Sequence, residues 1–543
     1  MEQKNLFMAI VLSLLVYILW FQFLAPKNPG IVPGQRVKTE EVVKKDDGVA
    51  KFDANTNTKD LIPSAEIKIT KVNTPLYNLE LSNRGATIKQ FELNNYKETN
   101  QANSEKKYIL DKSVNQGTYD VSFRNNSIKN LENAFFTTDN PATDITVQGK
   151  TETLNYVWQS PNGVIIEKSF EFTPDSYLIK CSVTIKNGSS EILNDDMAVN
   201  LQNKITEQSR IAIIGPSLYE NNKKIDVRTN KIDENASYRG KIDWLLIQDR
   251  YFMTALIPDD PSNSEVQLTY DKTSEIIGAK LYKSIGNLAP GNQKVFSYGI
   301  YAGPKSLSEL NKLGHHMDKV VDFGMFDVIA KPCLKMMNYI HDHIIRNYGV
   351  AIIILTIMIK LVLWPLGSKS YRSMNDMRKL QPLIADIREK YKNDSKKMNE
   401  EMMGLYKTYK VNPLSGCLPM IVQMPIFFAF YRMLYSAIEL RHAPFFGWIT
   451  DLSAPDRLFH FSVIIPHFDP PTGIPVLTLL MGGSMFLQQR MSPPAGDPAQ
   501  AKMMMFMPVF MTFIFMNFSS GLVLYWLVNN LISITQQYYI MKK

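Results

Sequence analysis

The sequence has little cysteine. Three residues, Cys181, Cys333 and Cys417, lie far apart in 543, and their odd number and spacing exclude a disulfide framework and the usual zinc ligand sets. The signatures of several enzyme classes are missing. There is no G-x-x-x-x-G-K-[ST] loop, which argues against nucleotide hydrolysis by the chain itself, and no H-E-x-x-H or G-x-S-x-G. No enzymatic activity, cofactor or metal is expected. The histidines of His315-His316 and His341-Asp342-His343 fall on predicted surface helices, where solvated rings are expected rather than ligands. Internal repeats are also missing, which counts against a secondary transporter.

The averages are ordinary: 45% hydrophobic residues and a mean hydropathy of -0.15. They conceal a division between a polar middle, rich in Asn, Thr and Lys, and an apolar, Met-rich last third. Six apolar runs are long enough to be read as membrane spans: residues 6–24, 350–366, 417–437, 474–489, 503–518 and 522–537. None contains Asp or Glu, which excludes an acidic proton relay and an acidic cation filter. The first run ends in FLAPKNPG without an A-x-A site, so residues 1–24 are predicted to be an uncleaved signal anchor, the alternative being a cleaved signal peptide.

Residues 25–60 are polar and without period, as in a flexible tether. From 61 to 320 the pattern is mostly β. IKITKVNTPLYNLELSN and GVIIEKSFEF alternate apolar and polar residues, and Asn162-Gly163 and Asn187-Gly188 mark turns. A large antiparallel β-sandwich is predicted. Over residues 321–348, Phe326, Ile329, Cys333, Met337, Ile340 and Ile344 recur at three and four. They predict an amphipathic helix lying along the membrane surface, with packing against the β-domain as the alternative. Residues 349–540 form the helical core. Within it, residues 367–415 carry eleven Lys/Arg against six acids. They predict a cytoplasmic helical hairpin whose arms run from Tyr371 to Lys410. The basic residues place both termini in the cytoplasm and the β-domain across the membrane. The net charge of +8 is thus read as topology and anionic partners, not nucleic-acid readout.

Lys360 is the residue to explain. It lies inside the 350–366 run, where a charge costs about 2.5–3.5 kcal/mol at a helix centre. It is six residues from the run's end, about 9 Å of helix, so a lysine snorkelling to the interface is one account of it. Its company supports another. Thr356 shares its face, Gln423 lies mid-run, Gln488 and Gln489 end the fourth run, and Asn529, Asn530 and Trp526 lie in the sixth. Polar groups at this depth face the bundle interior or water, so a shared hydrated hollow is predicted. The alternative for any single amide is a bond to a neighbouring helix.

NPLSGCLPMIVQMPIFFAFYRML at residues 412–434 closely resembles the third-span signature of the YidC/Oxa/Alb membrane insertases. WPLGSKSYRSMNDMRKLQP, IELRHAPFFGWITDLSAPD and MPVFMTFIFMNFSSGLVLYWLVNN are similar to other segments of the family's Gram-negative type, as is the order of anchor, β-domain and five spans. The resemblance implies six transmembrane helices. Five of them form an insertase core with a hydrophilic groove open to the cytoplasm and to lipid. A positive residue, usually Arg, marks that groove in the second span; here the position is Lys360, a point charge without a planar fork. The implied function is insertion and folding of newly made inner-membrane proteins, alone or with the Sec translocon. Relatives carry a longer basic tail than Met541-Lys542-Lys543, so ribosome and targeting contacts are expected at the basic hairpin. The groove is expected to comprise Lys360, Thr356, Gln423, Trp526, Gln488 and Asn529. A greasy slide for the substrate helix is expected from Met424, Pro425, Phe427, Phe428 and Met433, with Phe506, Phe510 and Phe513.

Overall fold

The computed structural model describes residues 50–51, 66–110, 114, 117–140, 142–205, 212–232, 236–409, 411, 418–461, 472–491 and 498–542. The predicted anchor at 6–24, most of the predicted tether, Lys410 and Cys417 lie outside them.

The alternating segments fold as strands. In Val164–Phe172, every second side chain is buried. The strand pairs antiparallel with Glu152–Gln159 on one side and Leu178–Asn187 on the other. The two predicted turns meet. Gly163 has φ 91°, and a Cβ there would lie 2.8 Å from the Gly188 carbonyl oxygen, so the left-handed turn and the close approach both require glycine. These strands belong to a ten-stranded sheet centred on Asn292–Pro304, the longest strand. Two five-stranded sheets accompany it. One contains Asp196–Lys204 and Ile276–Ser284 and faces Ile242–Gln248. The other contains Tyr77–Ser82 and Thr87–Lys97. Ile69–Asn73 and Asp144–Thr146 form a parallel pair within this last sheet. The predicted tether is anchored within its length: Ala50–Lys51 pairs with Asn292 and Gln293.

A lysine lies where the three sheets meet. Lys168, from the ten-stranded sheet, is fully buried and donates to the carbonyl of Ala86 at 2.7 Å and to that of Tyr119. Asp120 is buried nearby and accepts from Asn200 at 3.2 Å. Burial lowers the pKa of Lys168 and raises that of Asp120, and the opposite charge of each partly offsets the shift in the other.

The helices follow in order: α1 Leu307–Leu313, α2 Asp327–His343, α3 Tyr348–Lys379, α4 Gln381–Lys390, α5 Ser395–Thr408, α6 Leu418–Ser436, α7 Val476–Met491, α8 Pro498–Phe515 and α9 Ser520–Lys542. α2 buries Ala330, Leu334, Met337 and Ile340 and exposes Val328, Met336 and Tyr339. Asn347 caps α3 by accepting from the amide of Val350. The 350–366 run and the start of the predicted hairpin are one helix, since α3 continues through Gly367 to Lys379. The first hairpin arm therefore extends the helix that carries Lys360. It is interrupted only at Leu380, just before Pro382 at the start of α4. Among the described residues, α3 alone is long and apolar enough to cross a membrane by length and composition, and Met504–Phe515 is a shorter apolar helix.

The β-domain is fastened to the helices through side chains from both sides. Arg250 donates to the Tyr435 carbonyl at 2.7 Å, and its guanidinium lies 3.6 Å from the centre of that tyrosine ring. Arg441 donates to the carbonyls of Lys97 and Glu98 at 2.7 and 3.0 Å. Glu439 accepts from Asn338 on α2 at 3.3 Å, and burial raises its carboxyl pKa.

Candidate functional site

α9 presents a polar face. Trp526, Asn529, Asn530, Ser533, Gln536 and Gln537 recur at steps of three and four, so they share one side of the helix. All except half-buried Trp526 are buried. This face meets α3 and α7. Lys360 donates from Nζ to Ser533 Oγ at 2.8 Å, and Ser533 in turn donates to the Asn529 carbonyl at 2.8 Å. Tyr371 lies eleven residues beyond Lys360, roughly three turns and therefore on the same face. Ser533 and Gln488 lie beside its hydroxyl. On α7, Ser484 accepts from Asn530 at 3.2 Å. Gln536 donates to the Trp364 carbonyl at 2.9 Å and to Ser368 at 3.1 Å. A Cβ on Gly367 would lie 2.9 Å from that glutamine's amide oxygen, so glycine lets α3 and α9 approach here.

The expected groove residues are thus partly brought together. Lys360 and Asn529 are joined by hydrogen bonds through Ser533, and Gln488 lies beside Tyr371 at the edge of that cluster. Thr356 is buried, and its hydroxyl donates to Ile352 of its own helix at 2.6 Å. Gln423 is half-buried beside the Tyr525 hydroxyl. Trp526 stands two turns from Ser533, in an aromatic group with Phe427 at 4.5 Å and Phe515 at 5.0 Å between ring centres. Its indole N–H is buried with no hydrogen-bond partner among the described residues. Ser533, Ser484 and Gln536 were not expected. The signal for Ser533 and Gln536 was present as the continued three–four spacing after Asn529 and Asn530.

The expected slide divides in two. Phe506, Phe510 and Phe513 on α8 are exposed, as are Met424 and Pro425 on α6. Phe427 and Phe428 are half-buried, the latter stacked on Phe326. Met433 is fully buried and offers a visiting chain no surface. Of the histidines set aside earlier, His316 stacks on Tyr219 and His341 on Tyr348.

Among the described residues, the hydrogen-bond partner of Lys360 is a neutral hydroxyl and no carboxylate pairs with its ammonium group. That suits attraction of an acidic group.

Residues 339–543 match the family described as 60Kd inner membrane protein, and residues 69–336 match the YidC periplasmic domain. The chain belongs to the YidC/Oxa/Alb family of membrane insertases. It is 37% identical over 563 residues to the membrane protein insertase YidC of Syntrophus aciditrophicus, covering 100% of both chains. It is likewise 37% identical to that of Syntrophobacter fumaroxidans, covering 99% of both. A solved structure of an active YidC insertase aligns over 87% of this chain and 94% of its own, at 19% identity and a TM-score of 0.39. The chain thus joins a β-rich region that matches the YidC periplasmic domain to a helical region that matches the inner-membrane protein family.

Proposed function

We propose that this chain inserts newly made inner-membrane proteins through a hydrated, positively charged groove formed by α3, α6, α7 and α9. Lys360 with the Ser533 cluster is the observation that carries this reading. In it, six transmembrane helices hold both termini in the cytoplasm, and the groove opens to the cytoplasm and to lipid. An acidic substrate tail enters toward Lys360 and keeps part of its hydration, while Thr356, Gln423 and Trp526 line the path. The substrate's apolar helix leaves sideways along Met424, Pro425, Phe506, Phe510 and Phe513. Removing its surface from water yields about 25 cal/mol per Å², and the membrane potential assists an acidic tail. The basic hairpin, α3 beyond Lys369 with α4 and α5, receives the ribosome or targeting machinery. Cooperation with the Sec translocon belongs to the same reading.

Photocrosslinkers at Gln423 and Phe506 test it. Both are expected to capture a stalled nascent membrane protein, Gln423 favouring the polar tail and Phe506 the apolar segment. Capture at Phe506 with none at Gln423 would place the substrate outside the proposed groove.

A further inference from the structure

Between α6 and α7, Leu458–Phe461 pairs antiparallel with Thr472–Ile474. The pairing is irregular: Leu458 faces Ile474 and His460 faces Gly473, which leaves Phe459 unpaired in a bulge at φ 54°. A bulky aromatic residue rarely adopts this left-handed conformation. Phe459 is nevertheless held there and is 67% exposed, with Phe461 at 44% and Ile474 at 38%. The arrangement is fixed rather than loose. Thr472 donates its hydroxyl to the Phe461 carbonyl at 2.7 Å, and a Cβ on Gly473 would lie 2.7 Å from the Phe459 carbonyl oxygen.

The root of this hairpin is tied to two helix ends. Asp456 accepts from the Leu477 amide at 2.7 Å and the Thr478 hydroxyl at 2.9 Å, at the start of α7. Arg457 donates to the Met516 carbonyl at 2.7 Å and to Asn517 at 3.0 Å, just past the end of α8. The acid meets an N-terminus and the base a C-terminus, as the helix dipoles favour. The hairpin is therefore held level with the outer ends of α7 and α8. Its apolar surface is continuous in sequence with α7, whose Leu479 and Leu480 are exposed one turn on.

We propose that the hairpin is a foot resting in the outer leaflet of the bilayer, with Phe459 and Phe461 at the boundary of headgroups and acyl chains. This rests on the reading that α7 and α8 span the membrane. Aromatic rings favour that depth, and a lipid partner accounts for a strained aromatic displayed outward.

The test uses the full chain in vesicles, with Cys181, Cys333 and Cys417 replaced by serine. Phe459→Cys, and in a second variant Phe461→Cys, carries an environment-sensitive fluorophore. Lipids bearing a doxyl group near the headgroup are expected to quench either label by about twofold or more, the depth of an interfacial element, while aqueous iodide has little effect. A label on Val509→Cys, mid-helix in α8, serves as the depth reference. Iodide quenching at 459 and 461 with Val509 still in lipid overturns the foot alone. Shielding of 459 and 461 from both quenchers shows a protein cover and also overturns it. A Val509 label reached by no lipid quencher overturns the spanning reading itself.

Discussion

Lys360→Glu is expected to reduce insertion of acidic-tailed substrates at least tenfold, while Lys360→Arg keeps it. Two unit charges about 4 Å apart at an effective dielectric of about 20 attract by roughly 4 kcal/mol. Losing even a third of that, about 1.4 kcal/mol, is a factor of ten. Arginine preserves both the charge and a donor for Ser533, whereas glutamate reverses the sign beside an oxygen that now only repels or must turn to donate. Depletion of the resident insertase and complementation by each variant, with chain levels checked, measures the effect. Normal insertion of every substrate by both Lys360→Ala and Lys360→Glu would mean that the charge is not the active element.

The second large effect lies far from the membrane. Lys168→Met removes the donor to the Ala86 and Tyr119 carbonyls and leaves Asp120 buried without its nearby cation. Breaking a buried charged group's partnership costs about 3–5 kcal/mol, or roughly two to three and a half orders of magnitude in a local opening equilibrium. Amide hydrogen exchange in Val164–Phe172 and Asn292–Pro304 should accelerate accordingly, with α9 unaffected. Unchanged exchange in those strands would show that Lys168 does not hold the sheets together. Because the domain meets the helices through Arg250 and Arg441 rather than through Lys168, insertion should fall less than domain stability.

Lys168 also shows what the sequence offered and what was overlooked. Alternation located Val164–Phe172 and its turns, because a strand buried on one side repeats every second residue. The same alternation puts Lys168 in register with Val164, Ile166, Phe170 and Phe172, all buried. A charge at an inward position was a legible sign of an internal partner. Which carbonyls it would meet was not legible, since Ala86 and Tyr119 lie in turns that only the tertiary fold brings near. That one helix, α3, carries both the 350–366 run and the first hairpin arm was likewise not legible, because each segment has a helical pattern of its own and neither shows how the two join. For the site, Lys360 stood out as a charge in an apolar run, and Asn529 as an amide in another. Ser533, its actual partner, is a small polar residue of a kind that is common in packed membrane helices. Only its position one turn after Asn529 marked it. The burial of Met433 had no sequence signal, because a methionine suits a slide and a core equally.

The most direct test restores the charge chemically. In a background with Cys181, Cys333 and Cys417 replaced by serine, Lys360→Cys in inside-out vesicles is treated from the cytoplasmic face with aminoethyl methanethiosulfonate, which rebuilds a lysine-like ammonium on the thiol. The account predicts poor insertion of an acidic-tailed substrate before treatment, recovery after it, and no recovery with the neutral methyl reagent. A folded protein whose residue 360 the reagent never reaches, or equal recovery with the neutral reagent, would contradict a wet, positively charged groove.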